Sequence, residues 1–327
     1  MSKVVAIALN TFKEAVRNKV LYFLVIFAIL LIVFSSVISD LSIASPEKLI
    51  KDLGLAAIDF IGFLIAVFVG VYLVYNELDK KTIYTIVSKP IDRSQFVVGK
   101  FLGLLFTIYV NVLIMSFCFF AVLYWREATN QDVMQKALFK EVSPGKYESL
   151  MSLNAFYFQS LWGALWKAAA TFVGYSSPIT AGLGKTIFLS ALGMAIMTAF
   201  AILYSCFSTP TLSAVFTTLT YVIGSLCEDI VRYAEKLAQK SGGYEAMISA
   251  DKFKYWFAHI TVLAVPNRSL FDTRTQAVYG YQDPGKPLSA QMVSAVTIDP
   301  WVVIYGVTYT AAIVTIACVV FRRRNFK

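Results

Sequence analysis

The stretch VLYFLVIFAILLIVFSSVI, residues 20–38, is nineteen residues long and contains no charge. A helix needs about 20 apolar residues to cross the hydrocarbon core of a bilayer. The stretch is therefore long enough to span a membrane, and it is too apolar to lie on the surface of a water-soluble protein. It decides the fold class, because only helices and closed barrels satisfy their backbone polar groups inside lipid.

Five further apolar runs of similar length follow, and together they predict an all-α integral membrane protein with six transmembrane helices. The predicted spans are 20–38, 55–75, 101–124, 186–207, 211–230 and 301–321. Hydrophobic residues make up 58% of the 327 residues and charged residues 15%, against about 45–50% and 25% in soluble domains. We expect one transmembrane domain over residues 1–327, with two long external segments at 126–185 and 231–300.

The positions of lysine and arginine predict the orientation, because these residues favour the cytoplasmic ends of spans. The main basic clusters lie before the first span, between the second and third spans, and after the sixth. They are Lys3, Lys13, Arg17 and Lys19, then Lys80, Lys81, Lys89, Arg93 and Lys100, then Arg322, Arg323, Arg324 and Lys327. Both termini are therefore predicted to be cytoplasmic (N-in, C-in), in a multi-pass protein of the cell (inner) membrane.

Several segments have helical periodicity but are too short or too charged to span. Val4–Val16 places its apolar residues on one face, which predicts an interfacial helix on the cytoplasmic side. In the second external segment, Ile230–Lys240 has the spacing of a surface helix, and Trp256–Val265 predicts a re-entrant or interfacial helix before the sixth span. The tryptophans of Leu161–Trp166 are typical of a membrane interface.

The residue types offer no catalytic set. The four cysteines lie apart inside apolar segments and His259 is the single histidine, so no metal site or disulfide framework is predicted. Gly184-Lys185-Thr186 resembles the end of a phosphate-binding loop, but the motif needs a glycine where Ile179 stands. We expect a protein that is not an enzyme and binds no cofactor itself. The net charge of +9 lies mostly beside the spans, which favours membrane lipid over nucleic acid as a partner.

The loop between the second and third spans is the most informative segment, and residues 76–100 are NELDKKTIYTIVSKPIDRSQFVVGK. Acidic residues at its start, three apolar residues at helical spacing and a terminating proline predict a short amphipathic helix. These residues are Glu77 and Asp79, then Ile83, Ile86 and Val87, then Pro90. The apolar face of such a helix needs a partner, either the bilayer surface or another protein.

This loop resembles that of ABC-2 type transporter permeases. The corresponding residues are Glu77, Lys81-Thr82, Ile83 to Val87, Pro90, Ile91, Arg93 and Gly99-Lys100, with Lys81 in place of the family's usual glycine. Two more segments resemble those that flank the last span in this family. They are Pro266-Asn267 with Phe271-Asp272-Thr273-Arg274, and Phe321 to Phe326.

The resemblance implies the membrane-spanning permease subunit of an ABC transporter that exports its substrate. The loop would be the coupling helix, docked on a separate cytoplasmic ATPase that holds ATP and magnesium, and two permease copies or paralogues would work as a dimer. The implied coupling interface comprises Glu77, Asp79, Thr82, Ile83, Ile86, Val87, Pro90, Arg93 and Lys100. Asn111, a polar residue in the middle of the third span, could belong to the pathway or to helix packing.

Other interpretations stay open. A membrane subunit or scaffold could transmit ATPase strokes to an external partner, bound through 126–185 and 231–300, without transporting anything. A secondary transporter usually carries charges near the membrane midplane, and an intramembrane enzyme needs a catalytic set. The sequence shows little of the former and none of the latter, so both are less expected.

Overall fold

The computed structural model describes residues 3–39, 46–79, 92–129, 139–143, 146–149, 153–172, 180, 182–240, 248–279, 296 and 298–323. The α-helices in this part of the chain are α1 (Lys3–Val16), α2 (Lys19–Ser39), α3 (Pro46–Asp79), α4 (Arg93–Ala128), α5 (Leu153–Thr171), α6 (Leu183–Ser205), α7 (Pro210–Lys240), α8 (Ser249–Ala264), α9 (Arg274–Tyr279) and α10 (Pro300–Arg323). A 3₁₀ helix, Arg268–Phe271, separates α8 from α9.

Six of these helices, α2, α3, α4, α6, α7 and α10, are long and apolar enough to cross a membrane. The predicted helical membrane architecture with six spans is therefore confirmed, while the orientation of the termini stays a prediction. The N-terminal segment and the segment before the sixth span are also helical, as α1 and α8.

The structure differs from the sequence prediction at two places. Helix α7 continues without a break to Lys240, so the stretch predicted as a separate surface helix extends the fifth span. The reason is local, because no glycine or proline interrupts residues 225–240. The second difference is a short antiparallel hairpin within residues 126–185, a segment predicted to be external. It is formed by β1 (Phe139–Ser143) and β2 (Lys146–Ser149), and the apolar pattern did not indicate it.

Helix α6 lies at the centre of the bundle. Every residue from Leu192 to Leu203 is buried, and α6 packs against α3, α4, α7 and α10. Helices α2, α7 and α10 lie at the periphery and expose long apolar side chains, such as Phe23 and Val307. Exposure of these side chains is compatible with a lipid environment, because burying them between helices gives no hydrophobic free-energy gain in hydrocarbon.

Helix α1 packs closely along the first turns of α4, and two glycines make this contact possible. A Cβ atom at Gly99 would lie 2.7 Å from Cβ of Ile7, and one at Gly103 would lie 2.5 Å from the carbonyl oxygen of Ala8. Phe12 of α1 contacts Phe106 of α4, with 4.7 Å between ring centroids. Gly99 of the Gly-Lys pair in the loop motif therefore belongs to the surface of α4 against which the N-terminal helix packs.

We expect Gly103→Ala to destabilise the protein, although alanine is normally the better helix former. The added methyl group would meet the α1 backbone, and overpacking of this kind costs about 1–3 kcal/mol. Gly163→Ala in α5 is the matched control, because no atom lies within 4 Å of a Cβ there, and this change should stabilise by about 0.5–1 kcal/mol. Unfolding by titration with a denaturing detergent measures both, and equal effects of the two changes would contradict the close α1–α4 contact.

Candidate functional site

The segment that resembles a coupling helix joins two long helices. Helix α3 runs for 34 residues to Asp79, and α4 begins at Arg93 and runs for 36 residues. Thr82, Ile83, Ile86, Val87 and Pro90 lie outside the described residues. Glu77 and Asp79 fall in the last turn of α3, for which the structure describes the backbone helix alone. Their assignment to a coupling interface stays a prediction.

Arg93 lies at the start of α4 and contacts the end of α10. Its Nη1 atom donates a hydrogen bond to the carbonyl oxygen of Arg322 over 3.0 Å. One turn further, the ring of Phe96 stacks on that of Phe321, with centroids 5.7 Å apart. A cation close to the last carbonyls of a helix is electrostatically favourable. The helix that leaves the loop is therefore fastened to the last span at its first turn.

Lys100 is buried, with a side chain only 2% exposed. Its Nζ atom lies 3.5 Å from Oε2 of Glu14 on α1 and 5.9 Å from the centroid of the Phe96 ring. The side chain therefore ties α1 to α4 inside the protein and does not project from the bundle. Its assignment to the coupling interface is untested, but the role visible in the described residues is to position α1.

Asn111 is buried in the middle of α4. Its Nδ2 atom donates to the carbonyl oxygen of Thr107 over 2.7 Å, one turn back along the same helix. The hydroxyl of Thr107 in turn donates to the carbonyl oxygen of Gly103 over 2.8 Å. These bonds satisfy polar groups within α4, and the choice between a pathway role and a packing role for Asn111 stays open.

A largely buried ion pair joins α3 to the 3₁₀ helix. The guanidinium of Arg268 contacts both carboxylate oxygens of Asp59, with Nη1 to Oδ1 at 3.3 Å and a shorter contact from Nη2 to Oδ2. The side chains are 9% and 20% exposed. A bidentate arginine–carboxylate pair fixes orientation as well as distance, so it sets the position of the 3₁₀ helix on α3.

Helix α7 completes the surroundings of this pair. Tyr221 donates its hydroxyl proton to Oδ2 of Asp59 over 3.2 Å, and its ring lies 4.1 Å from the guanidinium carbon of Arg268. Nε of Arg268 donates to Oγ of Ser225 over 3.1 Å. The ring of Phe63 on α3 stacks on the ring of Tyr221, with centroids 3.8 Å apart. A buried charge is tolerated when it is paired and hydrogen-bonded in this way.

The segment around Arg268 also binds the other central helices. The backbone N–H of Asn267 donates to the hydroxyl of Tyr305 on α10 over 3.1 Å, and Thr273 donates to Thr186 on α6 over 3.0 Å. Nε of Arg274 lies 3.2 Å from Oδ1 of Asp52 on α3. Residues 266–274, which we call the clamp segment, therefore connect α3, α6, α7 and α10 at one end of the bundle.

Asp59 lies within the predicted second span and residues 266–274 belong to a family motif, but neither pattern pairs Asp59 with Arg268. A signal was present, since a carboxylate inside an apolar span requires a partner. Over 200 positions separate Asp59 from Arg268, and no periodicity connects them. In the described residues, no three His, Cys, Asp or Glu side chains converge as a metal site would require.

Six helices long and apolar enough to span a membrane, with an N-terminal helix packed on the third of them, define a multi-pass membrane protein. The comparison with known families agrees with this class. The family model described as "ABC-2 family transporter protein" matches residues 5–326, and the chain belongs to this family. It is accordingly a membrane permease subunit of an ABC transporter. No curated protein matches the sequence.

Tyr221→Phe should lower the free energy of unfolding, while it keeps the aromatic ring that covers Arg268. The change removes one hydrogen bond to a buried carboxylate, and such bonds contribute about 1.5–3 kcal/mol. Tyr233→Phe is the matched control, because Tyr233 lies on the same helix and is 57% exposed. Unfolding in a denaturing detergent should show a clear loss for the first variant and none for the second, and equal stability of both would argue against the hydrogen bond.

Proposed function

We propose that this permease subunit couples ATP hydrolysis by a separate cytoplasmic ATPase to export of a substrate across the cell (inner) membrane. It would work as a dimer with a second copy or a paralogue. The observation that supports the proposal is the arrangement of α3 and α4, two long helices. Residues 80–92 join the ends of these helices that are predicted to be cytoplasmic. A protein that pushes on this connection acts on two helices of the bundle core at once.

The proposed transmission follows from the stiffness of helices. Helix α3 has 34 residues and is therefore about 50 Å long, so displacement at Asp79 is carried along its whole length. Helix α4 would move together with the end of α10, since Arg93 and Phe96 of its first turn contact that helix. ATP would favour the closed form of the paired ATPase subunits, and contact at the loop would pass this bias to the permease as a shift in population.

The ion pair at Asp59 lies twenty residues before Asp79, about 30 Å along a continuous helix. Movement of α3 must therefore carry the clamp segment with it or separate Asp59 from Arg268. Because the clamp segment also contacts α6, α7 and α10, a stroke at the loop would change the packing of the opposite end of the bundle. The proposal thus gives the buried pair a role in transmitting motion between the two membrane faces.

The proposed contacts with the ATPase are the apolar residues Ile83, Ile86 and Val87, with Glu77 and Asp79 supplying polar contacts beside them. Thr82 and Pro90 would shape the helix ends. Arg93 and Lys100 would act indirectly, by holding α4 in place, because their side chains contact α10 and α1. ATP and magnesium would be bound by the partner ATPase.

A pull-down from membranes in mild detergent tests the proposal. The tagged wild-type chain should retain a cytoplasmic ATPase, recognised by mass and by ATP turnover, and the double variant Ile83→Asp/Ile86→Asp should lose it while still inserting in the membrane. Thr85→Asp is the matched control, since its side chain falls on the opposite face of the predicted helix. Failure of the wild type to retain an ATPase in several detergents would overturn the proposal.

A second candidate function is favoured by the hairpin β1–β2, a polar element that the membrane-spanning bundle does not need. In this interpretation the subunit transmits ATPase strokes to a partner outside the membrane and transports nothing. Vesicles reconstituted with permease and ATPase distinguish the two candidates. Export predicts ATP-dependent movement of substrate across the vesicle membrane, whereas the second candidate predicts ATP turnover that responds to the external partner alone.

A further inference from the structure

A cleft of about 780 Å³ lies between the start of α4 and the last turns of α10. It is separate from the clamp segment and lies at the end of the bundle predicted to be cytoplasmic. Of the residues that the structure describes, those that line it are Asp92, Arg93 and Ser94 on one side and Thr315, Cys318, Val319 and Arg322 on the other. The Sγ atom of Cys318 lies 3.8 Å from the carbonyl oxygen of Ser94, so the two walls meet at that point.

The basic side chains that line this cleft are suited to an anion. The cleft holds the guanidinium groups of Arg93 and Arg322, and Arg93 is held in place by its bond to the carbonyl oxygen of Arg322. The N-terminus of α4 contributes the positive end of a helix dipole. Among the described lining residues, Asp92 supplies the one opposing charge. Arg323, in the same turn as Arg322, adds a further cation nearby.

On the α10 side, the lining includes the apolar side chain of Val319. Val319 is 46% exposed, and it belongs to α10, which is long and apolar enough to span. A ligand here would have charge at one end and hydrocarbon at the other. An inorganic anion would use the arginines but would leave the wall of Val319 and Cys318 uncovered.

We propose that this cleft binds an anionic phospholipid, with its phosphate at Arg93 and Arg322 and an acyl chain along α10 beside Val319. Basic pockets between spans at the cytoplasmic face attract anionic headgroups through short-range electrostatics and direct hydrogen bonds. The lipid would bridge the first turn of α4 to the end of α10, and so brace the helix that leaves the loop. This inference does not depend on the ATPase.

Cys318 offers a reporter inside the cleft, and Cys118 offers an internal reference on α4. Both are partly buried and free, and the experiment treats both with one maleimide reagent in the same sample. The experiment measures both labelling rates, by peptide mass spectrometry, in delipidated full-length protein in an uncharged detergent. Phosphatidylglycerol, phosphatidylcholine or inorganic phosphate is then added. Val319→Cys supplies a second, more exposed reporter on the same wall.

We expect phosphatidylglycerol to slow labelling at Cys318 and in Val319→Cys, relative to Cys118, and phosphatidylcholine to have no such effect. Arg93→Gln or Arg322→Gln should each raise the lipid concentration for half-protection about fivefold, the factor expected for one basic residue near an anionic headgroup. Arg322→Lys should retain most of the protection. Arg323→Gln is the matched control, because it removes the same charge from the same turn without lining the cleft, and its effect should be smaller.

Three outcomes would overturn the inference. Equal protection by phosphatidylcholine would mean that any lipid covers this surface, without recognition of charge. Protection by inorganic phosphate alone would assign the arginines to a soluble anion. An equal loss of protection in Arg323→Gln and Arg322→Gln would mean diffuse attraction to a basic surface in place of a site.

Discussion

The pairing of Asp59 with Arg268 is the constraint on which the arrangement of the bundle depends. Two charges inside an apolar assembly are tolerable only together, because separating them would leave each without a partner in a medium that solvates ions poorly. The pair therefore fixes the clamp segment on α3, and the bonds of that segment to Tyr305 and Thr186 then fix α10 and α6. Tyr221 and Ser225 bring α7 to the same point.

At the opposite end of the bundle, single polar contacts and close helix packing hold the helices together. Arg93 caps α10, Lys100 is paired with Glu14, and the glycines of α4 admit α1 at short distance. Residues 80–92 connect α3 to α4, and the first turns of α4 contact α10 and α1. In the proposed coupling, a force applied there would reach the clamp segment along the continuous helix α3.

Much of the fold was predictable because a helix that crosses a lipid bilayer requires a long apolar run, which is easily recognised in the sequence. A charge-free run such as residues 20–38 has one stable structure in a bilayer, and glycine, proline and lysine patterns set the approximate limits. The contacts that position the site were not predictable in this way. Asp59 and Arg268 are distant in sequence, and the burial of Lys100 follows from the approach of α1 to Gly103, which is a tertiary event. Helix α7 extends beyond the predicted end of the fifth span, and the hairpin β1–β2 was not predicted. Hydropathy determines neither the end of α7 nor the formation of the hairpin.

A double-mutant cycle on Asp59 and Arg268 tests the central claim most directly. The variants are Asp59→Asn, Arg268→Gln and the two combined, and the measured quantity is the free energy of unfolding in a denaturing detergent. Each single change leaves one buried charge uncompensated and should cost about 3–5 kcal/mol. The double variant should lose less than the sum of the single losses, by about 1–3 kcal/mol. Losses that add within about 0.5 kcal/mol would contradict the claim that this pair holds the bundle together.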